Sequence, residues 1–396
     1  MLRQYEYRGE IVLVGEEPVA PYQRPPLSKA YLKGEADFEK LQLKADSFYA
    51  ENGIQLRVGC TVRGIDRDAK RLSFDQETAE TDYDILIIAT GSKARALPVP
   101  GADLAGVLAL RSVADANLLR QSVGPGRRVV IVGGGYIGLE VAASVRGMGA
   151  EVTLIEREER CLARVACEPL SSFFEDYHRG HGVEILKAAG VSELLGAQTE
   201  LHGRGHVRGV KLADGRTIPA DLVVVGVGAG PRDELARAAG LLCENGIIVD
   251  KQARTSDRDI FAIGDVASSM MFHYDDRRFR LESVPNALEQ AKLAASVIVG
   301  HPAPAFEVPW FWSDQYDLKL QIAGISFGAT EAIVRGERAS ARFAVFHLKE
   351  DRVVAVEAVN APPEFMVGRQ LIANRRAVSR AKLADIRVSM RDIYAD

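Results

Sequence analysis

Residues 127–157, "RRVVIVGGGYIGLEVAASVRGMGAEVTLIER", constrain the fold of this chain more than any other stretch. An apolar β-branched run at 129–132 leads into Gly133-Gly134-Gly135-Tyr136-Ile137-Gly138. A helical apolar pattern follows, and then a second apolar run that ends on Glu156. This order predicts strand, tight turn, amphipathic helix, strand. Glycines in such a turn let the backbone close up against a pyrophosphate, and the helix start offers N–H donors and partial positive charge. A carboxylate at the end of the second strand accepts from both ribose hydroxyls and repels a 2′-phosphate. Gly133, Gly135, Ile137, Gly138 and Glu156 are therefore the candidate contacts of a bound NAD, with NADH expected over NADPH. Arg157 and Arg160 lie close enough in sequence to soften that preference.

The N-terminal residues read as a second unit of the same kind, lacking its opening. Residues 11–14, Ile-Val-Leu-Val, form an apolar strand, and Glu16 follows it. An acidic residue there marks the second strand of a dinucleotide unit, whose glycine turn lies about 20 residues earlier. That turn is expected upstream of Met1. "ATGSKARALPVPG" at 89–101 and "TSDRDIFAIGD" at 255–265 flank the complete unit. A strand ending on Gly264-Asp265 suits a sugar-like hydroxyl beside a phosphate. One nucleotide-binding domain is thus expected to be interrupted by another.

Composition narrows the class. A length of 396 residues fits two or three domains. A net charge of −4 gives no global basic field for nucleic acid. No window approaches the roughly 18 apolar residues of a membrane span. The four cysteines, Cys60, Cys161, Cys167 and Cys243, show no CxxC pair, and the spacing of Cys161 and Cys167 matches no common redox or zinc pattern. All four read as reduced, cytoplasmic packing thiols. The loop "PYQRPPLSK" at 21–29 is proline-rigid, carries Arg24 and Lys29, and is expected to turn helical before residue 34. Trp310 and Trp312, the two tryptophans, suit either core packing or a stacking wall for a planar ring. Helices are expected at 112–122 and 284–299 and near 363–374, and strands at 54–58, 83–89, 183–186 and 247–249.

Seven stretches, in order, make the chain resemble the FAD-dependent ferredoxin reductase family, which includes putidaredoxin and rubredoxin reductases and the reductase components of dioxygenases. They are "PYQRPPLSKAYL", "ATGSKARALPVPG", "LRSVADA", "VVIVGGGYIGLEVAA", "DIFAIGD", "ESVPNALEQAK" and "FWSDQYDLKLQIAG". The resemblance implies an α/β fold with two nucleotide-binding, Rossmann-like domains, one inserted in the other, plus a C-terminal α+β domain. The expected division is 1–110 with 230–305 for FAD, 111–229 for NAD, and 306–396 for the C-terminal domain. It implies that Glu16, Arg24, Lys29, Val62, Arg111, Asp265 and Val284 contact FAD. Gly228 would pass close to NAD, Glu140 would sit by the nicotinamide and pair with Lys29, and Trp312 would pack near the flavin. Lys29, Glu140 and Trp312 are the candidate catalytic residues.

The family's "VGVVPN" pattern reads here as "VGAGPRDELA", so Arg232 stands where the family has asparagine. The implied activity is NADH oxidation through FAD, with electrons passed to a ferredoxin or rubredoxin that serves an oxygenase. No metal, nucleic acid or membrane partner is implied. An NADH oxidase resembling apoptosis-inducing factors and a non-catalytic remnant are the alternatives. The basic run "NRRAVSRAK", with Arg375, Arg376, Arg380 and Lys382, is expected to help dock an acidic iron–sulfur partner.

Overall fold

The computed structural model describes residues 1–75, 80–196, 205–271, 274–305 and 307–395. The chain packs as two compact units. One comprises Met1–Gln23, Leu41–Lys93 and Gly230–Phe311; the other comprises Arg24–Lys40, Ala94–Ala229 and Trp312–Asp396.

The second unit is built on a five-stranded parallel sheet. Its order is Val183–Leu186, Glu151–Ile155, Arg128–Val132, Leu222–Val225, Val107–Ala109. Strands buried on both faces are continuous apolar runs, and Val129 to Val132 and Leu222 to Val225 are buried throughout. The helix Tyr136–Gly147 buries Leu139, Val141, Ala142 and Val145. Leu194, Val207 and Val210, from an antiparallel meander, join Val130, Val132, Val223 and Val225 in one apolar core. Strand order reverses beside Arg128–Val132, and in sheets of this kind the crevice at such a reversal receives ligands.

A second five-stranded sheet runs Trp310–Gln315, Leu318–Gly324, Arg352–Val359, Arg342–Lys349, Glu331–Glu337. Its ladders Leu318–Gly324 to Arg352–Val359 to Arg342–Lys349 to Glu331–Glu337 are antiparallel. The helix Pro362–Asn374 buries Phe365, Leu371 and Ile372. Its Gly368 lies so close to the sheet that an added Cβ would stand 2.6 Å from Val356 Cγ1.

The first unit holds two parallel strand pairs, Ile11–Gly15 with Ile54–Val58 and Leu86–Ile88 with Ile260–Ala262. It also holds two antiparallel-edged sheets of three strands. Its helix Val284–Val299 starts where Ser283 Oγ accepts from the Asn286 N–H at 3.3 Å and stops at Gly300, in the left-handed region at φ +72°.

Two expectations change. The loop at 21–34 does not become an α-helix. Only Pro25–Ser28 forms a 3₁₀ turn, with Leu27 N–H on Arg24 O and Lys29 N–H on Pro26 O. Pro25 and Pro26 lack N–H groups, and Gly34, at φ +77°, follows within two turns. Conversely, the helix Glu168–Gly180 was not anticipated. Its signals were present: Pro169 in the first turn, then Leu170, Phe173, Phe174, Tyr177 and His178 at helical spacing.

Candidate functional site

The glycine turn of the second unit is determined by close approaches. Gly133 has φ +111°, and a Cβ there would stand 2.4 Å from Gly226 O, across the sheet reversal. A Cβ on Gly138 would stand 2.0 Å from Gly133 O. Any larger residue at either position would push the helix off the strand. Gly135 differs, because a Cβ there would meet nothing within 4 Å. It is also the N-cap of Tyr136–Gly147 and supplies no side-chain cap. The helix start therefore presents backbone N–H groups to open space, and these residues fit a dinucleotide pyrophosphate.

Glu156 follows the strand Glu151–Ile155. Its Oε2 accepts from the Gly134 N–H at 2.6 Å and its Oε1 from the Glu158 N–H at 2.9 Å. Turn and carboxylate are thus one preorganised element. Arg160 is drawn away: its guanidinium donates to Ala163 O, Ala166 O and Ser171 Oγ. Arg157 is exposed and pairs with Glu158 at 3.0 Å. Ile137 lies exposed on the first helical turn, and Gly228, at φ +102°, follows the neighbouring strand.

Glu140, one turn into the same helix, is the centre of a buried polar knot. It is 3 % exposed. Its Oε2 accepts from Lys29 Nζ at 2.6 Å and from Ser28 Oγ at 2.5 Å, and its Oε1 accepts from Ser313 Oγ at 2.6 Å. Lys29 Nζ also donates to Pro25 O at 3.1 Å. Gln315 Nε2 donates to Ser313 Oγ at 3.1 Å, and Gln315 Oε1 meets His178 Nε2 at 2.8 Å. Burial lowers the His178 imidazole to about 4. Sequence reasoning missed Ser28, Ser313, Gln315 and His178. Nothing local marks them, although Ser28 and Ser313 adjoin the singled-out Lys29 and Trp312. Trp312 is half-buried at the start of the second unit's last segment. Arg24 Nη1 donates to Arg111 O at 2.7 Å, and the Arg111 N–H is held by Asp115 Oδ2 at 3.0 Å beside the capping box of Val113–Ser122.

In the first unit, Glu16 follows Ile11–Gly15 and accepts from Arg232 Nη1 at 2.5 Å. That bond holds the Glu16 carboxyl below its ordinary range. The arginine at the unusual position thus faces an expected ribose ligand. Val62 opens the strand Val62–Asp66. Asp265 sits in the 3₁₀ turn Gly264–Val266, where its Oδ2 accepts from Ser92 Oγ at 2.9 Å. Val284 is the exposed first residue of its helix. Carboxylates at strand ends with a left-handed glycine beside one of them, Gly264 at φ +74°, fit a second dinucleotide.

Comparison with known proteins agrees with this geometry. Residues 1–291 match the family described as pyridine nucleotide-disulphide oxidoreductase, and residues 310–394 match the domain described as reductase C-terminal. The chain belongs to the pyridine nucleotide-disulphide oxidoreductase family. It is 50 % identical over 98 % of its length, and 93 % of the relative's, to "Probable ferredoxin reductase CtmF" of Castellaniella defragrans. It is 42 % identical to "Putidaredoxin reductase CamA" of Pseudomonas putida, over 100 % of this chain and 93 % of that one. Among solved structures, it resembles the covalent putidaredoxin reductase–putidaredoxin complex at TM-score 0.95 and 42 % identity, covering 100 % of this chain and 94 % of that one. The fold is accordingly α/β with two nucleotide-binding domains, one inserted in the other, and a C-terminal α+β domain. The chain is an oxidoreductase of the kind that uses FAD and a nicotinamide coenzyme. Among the described residues, no helix is long and apolar enough to cross a membrane.

Proposed function

We propose that this reductase oxidises NADH and passes the electrons through FAD to a ferredoxin or rubredoxin that serves a mono- or dioxygenase in the cytoplasm. The observation that carries the reading is likeness over the whole chain to a reductase solved together with its carrier, putidaredoxin. FAD, when bound, supplies the conversion of a two-electron hydride into single-electron steps that an iron–sulfur protein can accept.

The chain's own residues bind, orient and fix charge. Gly133, Gly135, Ile137 and Gly138 seat the NAD pyrophosphate on the helix start, with Gly228 beside it. Glu156, held by the Gly134 N–H, takes the adenosine ribose hydroxyls and excludes a 2′-phosphate. Glu16, Arg24, Lys29, Val62, Arg111, Asp265 and Val284 contact FAD, and Trp312 packs near the flavin. Glu140 holds the Lys29 ammonium in one position, because its carboxylate is itself fixed by Ser28 and Ser313. The domain assignment behind this reading is 1–110 with 230–305 for FAD, 111–229 for NAD and 306–396 for the C-terminal domain.

The test is steady-state reduction of a [2Fe–2S] ferredoxin and of a rubredoxin by the FAD-reconstituted protein, with NADH and with NADPH. The expected result is carrier reduction well above oxygen consumption, and a higher kcat/KM for NADH. Equal turnover with and without a carrier would make the protein an oxidase. An NADPH preference would overturn the role of Glu156.

A further inference from the structure

A second polar cluster lies in the same unit and takes no part in the dinucleotide chemistry. Cys167 is the N-cap of the helix Glu168–Gly180. His347 lies in the strand Arg342–Lys349 and Glu357 in its partner Arg352–Val359. The register pairs Val345 with Glu357 and His347 with Ala355. His347 and Glu357 are therefore diagonal neighbours on one sheet face. That face carries the start of the helix: Cys167 Sγ stands 2.8 Å from Glu357 Oε2, and His347 Nε2 stands 3.5 Å from Glu357 Oε1. All three donor atoms lie within 4.8 Å of one another. Among the described residues, no other group of three or more His, Cys, Asp and Glu side chains converges in this way.

A helix cap explains part of this arrangement. Glu357 accepts from the Cys167 N–H at 3.2 and 3.4 Å, which satisfies a helix-start donor. The cap leaves His347 unexplained. That residue is 6 % exposed, and its buried Nε2 has no hydrogen-bond partner. A buried polar atom without a hydrogen-bond partner calls for one. The atom faces a carboxylate and a thiol, so a cation satisfies all three groups together.

We propose that Cys167, His347 and Glu357 bind one zinc-like divalent cation, which ties the start of the helix Glu168–Gly180 to two adjacent strands of the C-terminal sheet. Thiolate, imidazole and carboxylate are the ligand types of zinc, whereas magnesium and calcium take oxygen ligands alone. On binding, the Cys167 S–H bond gives way to a sulfur–metal bond, and one proton leaves to solvent per ion. The ligands come from a helix cap and two strands, separated by 190 positions between Cys167 and Glu357. No sequence motif for zinc would reveal them.

The test uses the untagged, flavin-loaded protein. It is stripped with a chelator, re-loaded with zinc sulfate, desalted and analysed for elemental zinc, with X-ray absorption at the zinc edge. The expected result is about one zinc per chain with a single sulfur ligand near 2.3 Å. Cys167→Ser and His347→Gln should each lower retention at least about tenfold, while Cys243→Ser retains it. Failure of the wild-type protein to hold zinc overturns the proposal. So does a zinc shell without sulfur, a measurement made on the wild-type protein and independent of whether the variants fold. Undiminished zinc in a folded Cys167→Ser protein would overturn it equally.

Discussion

Glu140 shows how much one buried carboxylate can organise. It accepts from a lysine and two serines, and no water is needed to satisfy it. Its Coulomb partner is Lys29, whose side chain is 16 % exposed against 4 % for Glu140. Removing one member of a buried pair leaves the other charge uncompensated, at about 3–5 kcal/mol. Lys29→Met should therefore lower unfolding stability by about that amount, read as the urea midpoint of the flavin-loaded protein. Ser313→Ala removes one neutral donor and should cost about 1 kcal/mol. Equal, small losses in both variants would mean that the ion pair carries no special weight. The sequence showed Lys29 and Glu140 through their motifs, but showed neither serine, since nothing in "PLSK" or "FWSD" distinguishes a ligand from a surface hydroxyl.

The helix Glu168–Gly180 carries the clearest pH signature among the elements. It buries His178, whose imidazole burial pushes down to about 4, against a hydrogen bond donated to Gln315 Oε1 that pushes the other way. Between that value and the unfolded value of about 6.5, the unfolded chain takes up a proton that the native chain refuses. Stability should then fall as the pH drops from about 6.5 to 4, by about 3 kcal/mol from this residue, and level off below. His178→Gln should flatten that slope without removing the remaining acid sensitivity. Denaturant unfolding of both proteins at pH 7 and pH 4.5 measures it, and parallel slopes would show that another group carries the effect. The other elements were largely legible. Residues 183–186, 247–249 and 284–299 are at their expected places because their apolar spacing is locally self-consistent. The expected strand 83–89 shrinks to Leu86–Ile88, because only those residues find a partner in Ile260–Ala262.

For the whole molecule, electron delivery is the function to be explained, and two sequence expectations bear on it. Part of the basic run near the C-terminus is engaged within the chain. Arg380 pairs with Glu331 at 2.9 Å and Asp351 at 3.1 Å, and Arg376 donates to Tyr394 O at 2.6 Å. A cation already paired with carboxylates at such range, as Arg380 is, steers a partner weakly. Trp312 remains the better candidate for a residue on the electron route. Trp312→Ala should slow delivery to a ferredoxin by about tenfold, about 1.4 kcal/mol of barrier, while flavin reduction by NADH changes little. Stopped-flow reduction and carrier-coupled turnover separate the two steps. Equal losses in both would assign Trp312 to packing.

The sequence by itself determined the strand–turn–helix with Gly133, Gly138 and Glu156, the interruption of one nucleotide-binding domain by another, and the family. Each of these rests on spacing within a few dozen residues or on the order of long motifs, and neither needs the chain to be folded to be seen. Only the tertiary structure decided which polar groups meet. Glu140 gathers donors 111 to 173 positions away, Arg232 reaches back 216 positions to Glu16, and Cys167 finds Glu357 across 190. The physical reason is that a hydroxyl, a thiol or a guanidinium acquires its role from burial and from the one partner within about 3 Å. Packing alone sets both.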